Sequence, residues 1–115
     1  MKFRFGEINV VCTDRDRSLA FYRNVLGFEV LEEEGSAVHM RGAGVAFLIL
    51  PVAREAPPPG NPYPSQATLS FDLVVEDLEA ARSYFRDHGV DYEDREGFFL
   101  IRDPDGLPIE IVQAE

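Results

Sequence analysis

Apolar residues run along this chain in two rhythms, and both rhythms occur twice in the same order. "INVVCT", residues 8–13, and "FDLVVE", residues 71–76, are short and rich in β-branched side chains, as strands are. A helical spacing follows each: Leu19, Tyr22 and Leu26 in the first case, Leu78, Ala81 and Phe85 in the second. Asp14 and Asp77 stand where helix N-caps belong, and Gly27 and Gly89 where helices end. Three strand-like runs then close each half. They are "FEVLEEE", "AVHMR" and "VAFLILP" in the first, and "DYEDRE", "FFLIRD" and "LPIEIVQ" in the second.

The chain is thus written twice. Glu7 falls on Ser70, Val11 on Val74, Asp14 on Asp77 and Tyr22 on Phe85; further along, Gly44 falls on Gly106 and Leu48 on Glu110. The pattern predicts an α+β fold of two tandem βαβββ units, residues 1–51 and 67–115. Mixed sheets would curl around a cleft, with the helices on the outer faces. Residues 51–66, "PVAREAPPPGNPYPSQ", are rich in proline and glycine and read as the connector. One unit alone has too little core, so the pair is expected to form a single domain over 1–115, or to exchange halves in a dimer.

Strand alternation then sorts the side chains. Ile8, Val10 and Cys12 form the more apolar set of the first strand and should face the helix, which leaves Glu7 and Asn9 on the cleft side. The same reasoning sends Phe71, Leu73 and Val75 to the second helix, and Ser70 and Asp72 to the cleft. In the last strand Ile109 and Ile111 go inward while Glu110 faces the cleft, with Leu48 as its counterpart in the first unit. "DPDG", residues 103–106, reads as a tight turn that sets the register of that last strand and hence the direction of Glu110. A one-residue slip would reverse every face.

Composition narrows the functions. The 115 residues suit one compact domain, and 45% are hydrophobic, enough for a core. A formal net charge of −10 argues against nucleic acid and anionic membrane surfaces as partners. The single cysteine, Cys12, rules out an internal disulfide and suits a cytoplasmic protein. It lies in an apolar run and reads as a buried structural thiol. "MKFRFGEINV" lacks the apolar core and cleavage site of a signal peptide, and no apolar run reaches membrane-spanning length.

Two stretches, "DRSLAFYRNVLGFEV" and "RDPDGLPIEIV", resemble the vicinal oxygen chelate superfamily, which contains glyoxalase I, bleomycin-resistance proteins, fosfomycin-resistance proteins and extradiol dioxygenases. The resemblance covers nearly the whole chain. It implies that ligands to a metal come from the first and last strands of each unit, here Glu7, Leu48, Ser70 and Glu110. Histidine is usual at the first-strand positions, where this chain has Glu7 and Ser70, and Leu48 cannot ligate. Only Glu110 keeps the usual ligand type. The resemblance also implies a homodimer.

The expectation is therefore a protein that binds a small organic molecule without a cofactor. Glu7, Asn9, Leu48, Ser70, Asp72 and Glu110 would line its cleft. Carboxylates there suit a cationic or hydrogen-bond-donating ligand. The alternative is a divalent metal ion held by Glu110 and Glu7, in a lactoylglutathione-lyase-like or dioxygenase-like enzyme with those two residues catalytic. A third reading is an interaction module using its edge strands. His39 could face either way on its strand, and His88 reads as a helix-end residue suited to the helix dipole. Glu32, Glu33 and Glu34 read as a solvated strand end. Tyr63, in the connector, could lie over the cleft mouth or be an exposed loop aromatic.

Overall fold

Asp14 and Asp77 do cap helices. The Asp14 carboxylate accepts from the Arg17 amide at 3.0 Å, and that of Asp77 from the Glu79 and Ala80 amides at 2.9 and 3.2 Å. Each bond satisfies an N–H that the first helical turn leaves open. These caps are seen in a computed structural model that describes residues 1–54, 62–65 and 69–115. The chain divides into two compact units, Met1–Ala56 and Pro57–Glu115. Of the expected connector, residues 55–61 and 66 lie outside the described residues, as do 67 and 68 at the expected start of the second unit.

The first unit runs β1 (Ile8–Val11), α1 (Arg15–Ala20), β2 (Glu29–Glu34), β3 (Ala37–Gly42) and β4 (Val45–Leu50). Its sheet has the order β1-β4-β3-β2, with β1 parallel to β4 and the other pairs antiparallel. The second unit runs β5 (Phe71–Val75), α2 (Leu78–Asp87), β6 (Glu93–Arg95), β7 (Phe98–Arg102) and β8 (Pro108–Gln113). Its order is β5-β8-β7-β6, with the same parallel and antiparallel pairings. This is the α+β fold of two repeated βαβββ units. The repeat holds to the residue: Asn9 pairs with Leu48 as Asp72 pairs with Glu110.

Burial follows the alternation. Val10, Cys12, Phe47 and Ile49 are buried in the first unit, and Phe99, Ile101, Ile109 and Ile111 in the second. The rings of Tyr22 and Phe85 on the helical side stand 6.2 Å from Phe47 and 5.9 Å from Phe99. Each helix therefore covers the apolar face of its own sheet, and burial of these large side chains is the main stabilising term.

Two local expectations need correction. The spacing of Leu19, Tyr22 and Leu26 predicts one regular helix, but α1 stops at Ala20 and the chain widens into a π-helical segment, Phe21–Val25. The Leu26 amide reaches the Phe21 carbonyl, five residues back, at 3.1 Å. The wider turn lets the adjacent Phe21 and Tyr22 both be buried, and Phe28 takes the core place that the spacing assigned to Leu26. In the second unit only Glu93–Arg95 of the "DYEDRE" run pairs as a strand. His88 behaves as expected, its Nδ1 donating to the Tyr84 carbonyl at 2.7 Å at the end of α2. Cys12 is fully buried. No helix among the described residues is long and apolar enough to cross a membrane.

Candidate functional site

Glu110 owes its direction to the turn before it. The buried Asp103 carboxylate accepts from the Asp105 amide at 3.0 Å and the Leu107 amide at 2.9 Å. Gly106 has φ +92°, a conformation side chains resist, and its amide bonds the Asp103 carbonyl at 2.9 Å. This closed loop delivers β8 with Ile109 and Ile111 fully buried against the helix side. Glu110, between them, is half-buried on the opposite face, with Asp72 and Leu100 as its register partners.

Tyr63 meets Glu110 on that face. Its hydroxyl donates to a Glu110 carboxylate oxygen, and the Ser70 hydroxyl lies 2.9 Å from the same phenol oxygen. An ionised carboxylate only accepts, so the single phenol proton goes to Glu110 and Ser70 donates to the phenol oxygen. The bond to Glu110 is the main reason that Tyr63 is held above the usual phenol pKa of 10.0; the Ser70 bond opposes it, while burial and the nearby negative charge add to it. Asp72 is exposed as a residue, yet its carboxyl is partly shielded from water. That shielding first, and the Glu110 charge second, raise its pKa above the usual 3.8.

The first unit holds its carboxylate differently. His39 pairs with Leu48 in register and Leu48 with Asn9, so the three share one face. The His39 Nδ1 lies 3.3 Å from Glu7, and the Nε2 lies 2.8 Å from Glu34. The Glu34 hydrogen bond, with a smaller contribution from Glu7, raises the His39 pKa above 6.5 against the effect of burial. Glu33 pairs with Arg15, so the acidic strand end is solvated but not idle.

Of the residues nominated from sequence, Ser70, Asp72 and Glu110 gather on the second sheet, while Glu7, Asn9 and Leu48 lie on the first. Sequence reasoning left two partners open, the face of His39 and the place of Tyr63. The face of His39 was legible, since Val38 and Met40 on either side of it are buried and neighbours on a strand alternate. Tyr63 carried no periodic signal, because the path of a connector, not a repeat, brings it to Glu110.

These donors do not fit a transition metal within either unit. Firm binding needs three or four ligand atoms. In the second unit the Ser70 and Glu110 oxygens already converge on a phenol. In the first, the two His39 nitrogens face different carboxylates, and Leu48 has no donor. Among the described residues no group of three or more His, Cys, Asp or Glu side chains is placed to hold an ion.

Comparison with known proteins agrees with this fold. The family model of the Glyoxalase/Bleomycin resistance protein/Dioxygenase superfamily matches residues 4–111. "Glyoxylase I 4" of Arabidopsis thaliana is 29% identical over 96% of this chain and 70% of its own length. The crystal structure of lactoylglutathione lyase from Agrobacterium tumefaciens superposes with a TM-score of 0.69 at 21% identity, covering 96% of this chain and 93% of that one. FosX, the fosfomycin resistance protein of Listeria monocytogenes, solved with Mn(II) and sulfate, superposes with a TM-score of 0.76 at 13% identity, covering 100% and 93%. With two βαβββ units in order and a family match over nearly its whole length, this chain belongs to the glyoxalase/bleomycin resistance protein/dioxygenase superfamily.

Proposed function

We propose that the protein binds a small organic molecule at the polar face around Ser70, Asp72 and Glu110, and that it does so without a transition metal. The observation that carries this reading is the Tyr63 hydroxyl, bonded to both Glu110 and Ser70. A phenol proton supplies the positive partner that a half-buried carboxylate needs. A metal that polarised a bound carbonyl would have to evict it. Asp72, one strand away, offers a further acceptor for a ligand that is cationic or donates hydrogen bonds. Glu7 and Asn9 occupy the corresponding positions on the first unit's own sheet. Without a metal, a glyoxalase-type proton transfer loses its largest electrostatic stabilisation, so binding is favoured over catalysis.

Two measurements test the reading. Protein purified without chelator should carry no stoichiometric metal, and titration with manganese, nickel, zinc and iron should find no site. A stoichiometric ion lost in Glu110→Gln would instead support a metal-dependent lyase, isomerase or dioxygenase. Calorimetric titration with a basic glycopeptide antibiotic tests one cationic ligand, and absence of heat at high concentration would eliminate it.

A further inference from the structure

We propose that Tyr63 is an internal ligand of the second unit: its phenol stands in for a bound small molecule, and the ligand that replaces it is an aromatic alcohol. The proposal rests on the reading above, that this polar face binds a small organic molecule, and it names the chemistry that the face selects.

The contacts themselves describe a neutral hydroxyl. Glu110 takes one proton from the phenol, and Ser70 gives one back to the phenol oxygen. One acceptor and one donor converging on a single oxygen match an O–H group. An ammonium would have to use Ser70 as an acceptor, whereas the phenol in place uses it as a donor. Among the described residues no lysine or arginine is paired with Asp72 or Glu110, while Arg95 and Arg102 of the same sheet go to Glu93 at 3.1 and 3.9 Å. On the β7 side of Glu110 the face turns apolar. Leu100 pairs with Glu110, and Phe98 with Val112, and directly opposed residues of antiparallel strands share a face. That floor suits a flat ring carrying the hydroxyl.

Tyr63 also comes from outside the sheet. It belongs to no helix or strand of the unit. Its carbonyl accepts a long hydrogen bond from Arg95 Nη2 at 3.4 Å. Among the described residues of the first unit, Glu7 is met instead by His39 from β3, inside the sheet.

The test uses p-cresol, the tyrosine side chain without its backbone, and 4-methylanisole, which lacks the O–H. Binding is followed by NMR through the amides of Ser70, Asp72 and Glu110. Tyr63→Ala should bind p-cresol about tenfold more tightly than the wild-type chain, should ignore 4-methylanisole, and should lose the gain in Tyr63→Ala/Glu110→Gln. Equal binding by wild type and Tyr63→Ala, or a gain that survives Glu110→Gln, overturns the proposal. A second measurement covers the case in which Tyr63→Ala fails to fold. In the intact protein Tyr63 should ionise above 10.0 and return towards it in Glu110→Gln. An unchanged titration overturns the internal contact on which the proposal stands. Stoichiometric manganese bound by wild type and lost in Glu110→Gln would defeat the metal-free reading instead, so the two failures are distinct.

Discussion

His39 Nε2 lies 2.8 Å from a Glu34 carboxylate oxygen across the β2–β3 hairpin, while the other ring nitrogen faces Glu7 at 3.3 Å. One imidazole thereby joins the chain ahead of β1 to the end of β2, by way of β3. Protonated, it donates to both carboxylates; neutral, it can donate to only one.

The stability of the first unit should therefore depend on pH. The Glu34 hydrogen bond, and then Glu7, raise His39 above its ordinary 6.5. The stabilisation is fully present below 6.5, the unfolded-state value, and is lost as pH rises through the higher folded-state value. Urea midpoints of wild type and His39→Asn should differ most on the acidic side and converge on the alkaline side. Salt should shrink the gap, since the side chains are partly exposed. A gap that is constant with pH would show that the two carboxylates do not hold the proton.

Gly42→Ala should destabilise the first unit by overpacking. A Cβ added at Gly42 would fall 2.0 Å from Cδ1 of Phe28. That ring cannot retreat freely: it is 5% exposed, with its centroid 4.9 Å from Phe47 and 5.9 Å from Tyr22. Moving it disturbs the aromatic cluster beneath the sheet, at a cost of about 1–3 kcal/mol. The expected result is a lower urea midpoint with an unchanged slope. A change below about 0.5 kcal/mol, the range of ordinary surface substitutions, would mean that Phe28 repacks without loss.

The aromatic cluster also shows where pattern reasoning works. Alternation in "INVVCT" and "FDLVVE", and the Asp caps after them, were readable because each is a local rule with a fixed period. The doubling of the chain made each unit a check on the other, so the pairing of Asp72 with Glu110 followed from that of Asn9 with Leu48. Phe28 and the π-helical turn before it were not readable. The helical spacing named Leu26, and the bulge that replaces it is chosen by packing of Phe21 and Tyr22, which no period encodes. The candidate site divides the same way. Ser70, Asp72 and Glu110 follow from strand faces. Tyr63 does not, because a side chain on a proline-rich connector reaches its partner through tertiary path alone.

The same turn that orients Glu110 gives the last prediction. Asp103 is 5% exposed, and its carboxylate is the acceptor for the amides of Asp105 and Leu107. Asp103→Ala leaves both donors without that acceptor, at a cost of about 1–3 kcal/mol. Asp103→Asn keeps an acceptor oxygen and should lose less. The damage should also reach the site. The Asp103 amide bonds the Leu107 carbonyl at 3.0 Å, so the loop clamps the first residues of β8. With the clamp loosened, Glu110 is held less firmly towards Tyr63, because a slip of one residue would turn it to the helix side. Tyr63 should then ionise closer to 10.0 in Asp103→Ala, in step with the loss of stability. A variant that loses stability while Tyr63 titrates as in wild type would separate the turn from the site, and would leave the orientation of Glu110 to the β5 and β7 pairings alone.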